Sequence, residues 1–440
     1  MKARGELEWG NRASRRGFTL IELLVSLTGG LFVSLAVFAL ARDASRFYQR
    51  EGRLASATLS GIVGFERLRA DIARAGFLST PNVSNDPFVC SRPNASSPTL
   101  LRDLSSLRVV NQGSPTNAIL QANSLAPDSL LLMGSYSSPD EFIVRDISRE
   151  DSTGGAVVTL LPTSAAMARL GFLSAPPGQR KALLQGVFAT GRALRIVDNE
   201  GRQHFGVIQS ANVDPTGTIP EVRLSAQPAL EFRPDSSRLC GLKAGERGAR
   251  VNVINFIRYD VRNLNTQSSF DGGKNKNYAA LYTASKADAL SEQETARTEL
   301  VRTELDVNEN PLTLTQAVSD TQNLSTNLEE LVAEYAVDFQ LEAGVAIDPP
   351  PNPSLQHFTD TQNQFAQYVG KPTAGASPER LRSVRVRLSL RSREADRAMP
   401  LVAAGGLYRV GLGSDGKAPY ARVRSLQADV MLNNNAHVSW

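Results

Sequence analysis

The chain has 440 residues, of which 41% are hydrophobic and 21% are charged. This composition suffices for one large domain or two to three smaller ones, and it excludes a disordered tail. The formal net charge is +4, and the first 17 residues contribute +3 of it through five basic and two acidic side chains. The remainder therefore carries about +1, which excludes a global basic excess for binding nucleic acid.

A hydrophobic segment follows this basic N-terminus. Residues 18–40 contain a single charge, Glu22, and they exceed the ~20 residues that a helix needs to cross a bilayer. The basic flank predicts a cytoplasmic N-terminus. A secretory signal peptide has a shorter apolar region, although Ala39 and Ala41 form an A-x-A pattern. A plain single-pass anchor leaves Glu22 unexplained, because a carboxylate in hydrocarbon costs about 2.5 kcal/mol or more.

Residues 16–25, with the sequence RGFTLIELLV, resemble the signature of type IV prepilins. The resemblance implies that a membrane-embedded prepilin peptidase cuts between Gly17 and Phe18 and then N-methylates Phe18. Glu22 would be the fifth residue of the processed chain. There it would pair with the Phe18 amine of a neighbouring subunit and set the register of a filament, since a buried charge is strongly unfavourable without a partner.

Four segments are predicted along the chain. They are a leader over residues 1–17, a transmembrane and assembly helix over 18–41, an amphipathic second half of that helix over 42–78, and a periplasmic β-rich head over 79–440. The helix is expected to run from Phe18 to about Ala75 and to stop at Gly76. Its second half has an apolar face with Leu54, Phe65, Leu68 and Ile72 and an opposite face with Arg67, Asp71 and Arg74.

The head is predicted to consist mainly of strands. Alternation of apolar and polar residues indicates strands with one buried face; it is clear over residues 331–341 and 384–391 and less regular over 251–261. Weaker strands are predicted over residues 130–133, 142–147, 157–161, 194–197, 205–208, 222–224 and 423–432. The expected fold class is α+β, with a long N-terminal helix, transmembrane in its first half, packed on an antiparallel sheet-rich head.

Further segments resemble the PilW type of minor pilin. Residues 71–77, DIARAGF, end the long helix, and residues 384–392, VRVRLSLRS, follow an acidic-apolar strand. An arginine expected near the C-terminal strand is missing from residues 431–434, MLNN. The likeness covers the N-terminal 80 residues and roughly the last 110. The middle, about 85–330, carries no such likeness.

The two cysteines, Cys90 and Cys240, lie in a chain whose N-terminal segment predicts export. An even pair in an exported chain favours one disulfide. Two unrelated buried thiols are the alternative, because spacing alone does not bring two Cα atoms within bonding range.

Other motifs indicate no catalytic or metal site. Residues 411–416 fit G-x-G-x-x-G, but Pro419 follows soon after, so that no helix N-terminus is available for a phosphate. Residues 306–311 lack the glycine and terminal glutamate of a calcium loop and are interpreted as a polar loop. The three histidines lie far apart in sequence. The arginines within residues 382–391 predict a solvated face or a contact with an acidic neighbour, with DNA as a minor alternative.

The combined expectation is a structural protein with no enzymatic activity, cofactor or metal: a minor type IV pilin that helps to initiate pilus assembly at or near the tip. Its implied partners are prepilin peptidase, other minor pilins and the major pilin, the inner-membrane assembly platform and membrane lipid, without nucleic acid. The implied location is the inner membrane of a Gram-negative bacterium, with a periplasmic head, and then the pilus. Two alternatives stay open: a J-like pseudopilin of type II secretion, usually much shorter, and a pilus-tip adhesin with a ligand site in residues 85–330.

Overall fold

The computed structural model describes most of the chain after its first 18 residues. The described residues are 19–90, 92–150, 154–233, 240–264, 266–267, 297–318, 322–347, 354–359, 364–372, 375–393, 395, 397–400, 407–410, 417–436 and 438. The chain divides into two compact units, Met1–Ala55 and Ser56–Trp440, and the second is called here the head unit. Helix α1, Leu20–Ala73, begins in the first unit and ends in the second.

The head unit contains short helices and many strands. The helices are α2 Thr99–Arg102, α3 Ala118–Ala122, α4 Ala165–Arg169, α5 Pro177–Val187 and α6 Phe365–Val369. The strands are β1 Leu107–Val110, β2 Ser129–Gly134, β3 Phe142–Arg149, β4 Ala156–Leu160, β5 Ala193–Val197, β6 Gln203–Val213, β7 Pro220–Leu224, β8 Phe232–Arg233, β9 Leu242–Lys243, β10 Arg250–Arg262, β11 Glu299–Leu305, β12 Thr313–Val318, β13 Gln322–Asn327, β14 Glu329–Ala333, β15 Ala336–Ala346, β16 Leu355–Phe358, β17 Leu381–Arg391, β18 Arg397–Pro400, β19 Leu407–Arg409 and β20 Lys417–Met431.

Strand β10 organises a ten-stranded antiparallel sheet. Its C-terminal half pairs with β2 and β11, and its N-terminal half pairs with β3 and β5. Because β3, β4, β7, β6 and β5 also pair in series, β10 closes them into a ring of six strands. This ring, residues 142–254, is called here the barrel. It encloses an apolar core of its own, to which α5 contributes Leu184 and Val187.

A second antiparallel sheet forms the C-terminal part of the head unit. Its order is β16-β15-β17-β20, and β18 and β19 both pair with β20. The largest apolar core combines this sheet with β1, β2, β10, β11 and the end of α1. Leu68 of α1, Ile257 of β10 and Phe339 of β15 are fully or almost fully buried in it.

The predicted fold class is confirmed: an apolar N-terminal helix accompanies a body built mainly of antiparallel strands. The predicted strands are present, most with longer bounds, such as β6 at Gln203–Val213. The irregular pattern over residues 251–261 has a physical reason, because β10 is buried on both faces: Ile257 and Tyr259 enter one core, and Phe256 enters another. Helix α5 was not predicted from the sequence; Pro177 suits its first turn, but its two glycines weaken the helical pattern.

One predicted strand is wrong as a single element. Residues 331–341 alternate without interruption, but the structure divides them into β14 and β15 at residues 334–335. Tyr335 has a φ of +57° there, which is uncommon for a residue with a side chain. Strand β14 pairs with β11 and β15 pairs with β17, so this bend carries the chain from the first sheet to the second. A period-two pattern does not reveal such a bend, because the alternation of residues continues through positions 334–335.

The structure joins Cys90 and Cys240 in a disulfide with a Cα–Cα distance of 5.4 Å. The bond spans 150 residues. Cys90 lies in the segment between α1 and β1, and Cys240 lies between β7 and β10 of the barrel. The disulfide therefore fastens the segment that follows the helix to the barrel.

We expect the double substitution Cys90→Ser/Cys240→Ser to lower the free energy of unfolding by about 2–5 kcal/mol, because a long loop in the unfolded chain is no longer closed. Thermal unfolding of the full chain in detergent measures this. Wild-type protein in reducing agent is the matched control, and its melting temperature should equal that of the variant. Equal melting temperatures for oxidised and reduced wild type would contradict the expectation.

Candidate membrane helix and helix-docking site

The first part of α1 is the candidate membrane segment. It covers Leu20–Ser45, 26 residues, and its most apolar window of 18 residues has a mean hydropathy of 2.3 and is not buried inside the structure. About 20 apolar residues suffice for a helix to cross the hydrocarbon core of a bilayer. The segment therefore fits a single-pass membrane anchor.

Glu22 takes part in the start of α1. The Thr19 amide donates to Glu22 Oε2 at 3.0 Å, and the Glu22 amide donates to Thr19 Oγ1 at 3.2 Å. This reciprocal pair is a capping box, which satisfies amides that have no partner within the helix. The T-x-x-E spacing is the sequence signal for it. Gly17 and Phe18, the residues predicted to be processed, lie outside the described residues.

Two glycines bring the later part of α1 very close to the sheets. A Cβ atom on Gly64 would lie 2.2 Å from the carbonyl oxygen of Val332, and one on Gly61 would lie 1.9 Å from Leu390 Cδ1. A flexible leucine side chain can move aside, but Val332 is held in the backbone as the bulged residue between Leu331 and Ala333, which both pair with β11. Gly64 therefore determines how closely α1 approaches β14.

The predicted apolar face of α1 is confirmed where the structure describes it. Phe65, Leu68 and Ile72 are buried in the largest core, whereas the side chain of Leu54 lies outside the described residues. The predicted polar face needs a correction at Asp71, whose side chain is only 13% exposed. Helical periodicity placed it opposite the core, but the edge of the first sheet reaches around to it.

Asp71 joins α1 to the first sheet. Its Oδ2 accepts hydrogen bonds from the Tyr259 hydroxyl at 2.8 Å and from Arg302 Nε at 2.9 Å. These two partners lie directly opposite each other on β10 and β11. The backbone carbonyl of Asp71 also accepts from the Tyr136 hydroxyl at 2.8 Å. Burial raises the pKa of Tyr259, and the Asp71 carboxylate adds to the shift, so the phenol remains a hydrogen-bond donor.

The end of α1 is held by its backbone. Gly76 has a φ of +76°, in the left-handed region that glycine adopts at helix ends. Its amide donates to the Met133 carbonyl at 2.8 Å, and a Cβ on it would lie 2.5 Å from Ser106 Oγ. Arg74 donates to the Ser135 carbonyl at 3.0 Å. Residues 71–77, with the sequence DIARAGF, therefore form the segment that docks the end of α1 on the first sheet. Their sequence alone did not predict this contact.

The arginines of β17 do not form a free basic face. Arg385 pairs with Asp429 of β20 at 2.7 Å and with Glu342 of β15 at 3.2 Å, and Arg387 pairs with Asp338 of β15 at 3.4 Å. The hydrogen bond from Arg385 lowers the pKa of Asp429 below its usual value. The acidic neighbours of Arg385 and Arg387 thus lie on the adjacent strands of the same sheet, whereas Arg382 and Arg391 donate to backbone carbonyls.

The remaining motifs are local structures or lie outside the described part. In residues 306–311, Asp306 Oδ1 accepts from the amides of Asn308 and Asn310 at 2.8 and 2.9 Å, which makes a polar turn. Residues 411–416 and His437 are not among the described residues. His204 is buried beside Asp198 at 3.4 Å, and burial lowers its pKa. Within the described ranges, no group of three or more His, Cys, Asp or Glu is placed to hold a metal ion.

Comparison with known proteins gives no match: no family model, no curated protein and no solved structure corresponds to this chain. The resemblance to type IV prepilins therefore rests on residues 16–25. The resemblance to PilW-type minor pilins rests on the patterns at residues 71–77 and 384–392.

We expect Asp71→Asn to lower the free energy of unfolding by about 3 kcal/mol, because Arg302 then stays largely buried without its principal counter-charge. Chemical unfolding of the full chain in detergent, followed by circular dichroism, measures this. Glu66→Gln is the matched control on the same helix: its pair with Arg69 is exposed, and its loss should cost less than about 0.5 kcal/mol. Similar losses for both variants would contradict a docking role of Asp71.

Proposed function

We propose that this protein is a minor type IV pilin of the PilW type, a structural subunit that helps to initiate pilus assembly at or near the tip after processing by prepilin peptidase. The observation that carries the proposal is the segment of residues 16–25. A glycine at the cleavage position, an apolar frame and a single carboxylate occur together there. They stand at the start of a helix that fits a membrane anchor.

The docking of α1 supports the proposal. A filament built through apolar helices requires each head to follow its own helix, since otherwise the heads would lose their order. The close approach at Gly64 and the bonds of Asp71 hold the end of α1 on the sheets of the head unit. Such an arrangement suits a subunit whose helix carries the assembly contacts and whose head is exposed.

The disulfide supports a head outside the cytoplasm. Disulfides form and persist in oxidising compartments such as the bacterial periplasm and are rare in the cytosol. Cys90 and Cys240 both lie in the head unit. The apolar segment has a basic flank on its N-terminal side and a disulfide-bonded head on its C-terminal side. This order agrees with a single span whose N-terminus is cytoplasmic.

A pilus-tip adhesin is the second candidate, and the barrel is the observation that favours it. The barrel occupies residues 142–254 between β2 and the C-terminal half of β10 and has its own apolar core. The docking of α1 uses none of its residues. An inserted module of this kind is free to carry a separate function, such as ligand binding.

We expect the mature chain to begin at N-methylated Phe18 when prepilin peptidase is present and at Met1 when it is absent. Intact-mass measurement of the protein from membranes of both strains tests this. A start at Met1 in both strains would indicate a plain single-pass anchor. A start at Arg42 would indicate a cleaved signal peptide, and either result would refute the pilin proposal.

The two roles of Glu22 predict different behaviour of two variants. Glu22→Gln retains a capping-box partner for Thr19 but removes the charge. It should therefore abolish incorporation into sheared pili while membrane levels stay unchanged. Thr19→Ala retains the charge and removes the cap at a cost of about 1 kcal/mol, so its incorporation should stay near wild type. Immunoblots of sheared and membrane fractions measure both. Equal loss in both variants would show that Glu22 acts through the helix start alone.

A further inference from the structure

A cleft of about 640 Å³ opens on the barrel beside the disulfide. Two segments line it, residues 92–97 without Ala95 and residues 226–232, together with Arg149 and Cys240. These two segments are called here its two sides. Its volume lies within the ~300–1,000 Å³ of small-molecule sites in proteins. None of these residues takes part in the docking of α1.

The two sides of the cleft are fastened to each other. Cys90, just before the first side, is bonded to Cys240. On the second side, Phe232 in β8 pairs with Leu242 in β9, and β9 lies close after Cys240. The cleft is therefore a constrained feature of the fold, and its width depends on the disulfide.

The charges in the cleft favour an anionic ligand. Arg92 and Arg149 both line it. Arg149 makes no ion pair with a described residue, and Arg92 donates only to the Asp86 backbone carbonyl, at 3.5 Å. Glu231 is the one acidic residue among the described lining. The barrel, residues 142–254, has 14 basic and 10 acidic residues, a net charge of +4, so it is more basic than the rest of the processed chain.

The uncharged lining suits a sugar. Asn94 Oδ1 accepts from Ser96, and the Asn94 Nδ2 amino group donates to no described residue. The side-chain amide of Gln227 likewise bonds to no described residue. Pro93, Pro228 and other small apolar groups also line the cleft. Amides together with apolar side chains match the hydroxyls and C–H faces of a pyranose ring.

We propose that this cleft binds an acidic saccharide. The guanidinium groups of Arg92 and Arg149 would hold its carboxylates, because charge-assisted bonds from arginine are the strongest neutral-pH contacts available to them. Asn94, Gln227 and Glu231 would hold its hydroxyls. Nucleic acid fits less well, since stacking of bases needs exposed aromatic platforms and the described lining has only Phe232, which is half-buried.

This binding function goes beyond pilus assembly and does not depend on it. A chain that is never processed would still carry the cleft, and a processed subunit could lack the ligand. Failure of one proposal therefore leaves the other standing. At the end of a filament, an anionic-sugar site would attach the filament to surfaces coated with acidic polysaccharide.

The test is titration calorimetry of the full chain in detergent with oligogalacturonate, whose rings each carry a carboxylate. We expect micromolar or weaker binding, and Arg92→Gln/Arg149→Gln should raise the Kd about a hundredfold, since each charge-assisted bond contributes about tenfold. Arg145→Gln/Arg247→Gln is the matched control. It removes two exposed barrel arginines outside the cleft and should change the Kd less than about threefold.

Several outcomes would overturn the proposal. One is that the wild type does not bind oligogalacturonate, and another is that both double variants lose the same affinity. A third is that dextran, which is uncharged, or the polyanions polyglutamate or duplex DNA bind as tightly as oligogalacturonate. Reduction with dithiothreitol should weaken binding by separating the sides of the cleft. Circular dichroism must show that both double variants have the melting temperature of the wild type. A loss of binding then reflects the cleft and not unfolding of the protein.

Discussion

The contact between Gly64 of α1 and the carbonyl of Val332 constrains the rest of the head unit. A Cβ at this glycine would lie 2.2 Å from the carbonyl oxygen, so the helix can run this close to β14 only without a side chain. Directly after β14 the chain bends at Tyr335, whose ring has the guanidinium groups of Arg297 and Arg391 over it at 4.7 and 4.8 Å. The helix, the first sheet and the second sheet therefore meet at residues 332–335, next to the contact with Gly64.

Strand β10 is the other shared element, because it belongs to the barrel with one half and to the helix-docking sheet with the other. This arrangement lets a barrel with a separate core be attached without a flexible linker. The disulfide adds a second connection from the segment after α1. The residues that dock α1 and the residues that line the cleft lie on different elements of the head unit.

Glu22 illustrates how one residue can satisfy two physical requirements. In the isolated chain its carboxylate accepts from the Thr19 amide and stabilises the first turn. In a filament the same carboxylate would face the amine of a neighbouring subunit, which lowers the cost of a charge in hydrocarbon. A capping interaction that is worth about 1 kcal/mol is weak enough to be exchanged for an ion pair in the membrane. The cap would therefore not prevent the pairing that is proposed for a filament.

The sequence by itself determined the features that depend on local periodicity and composition. These are the apolar segment, the amphipathic continuation of α1, the α+β class and most strands, because a helix or a half-buried strand repeats its pattern within a few residues. Tertiary structure alone decided where residues distant in sequence meet. Asp71 contacts Tyr259 and Arg302, acids of β15 and β20 pair with Arg385 and Arg387 of β17, and Cys90 bonds to Cys240. The bend at Tyr335 and the closure of the barrel belong to the same group, since strand pairing depends on register and connection, which one strand's own pattern does not contain.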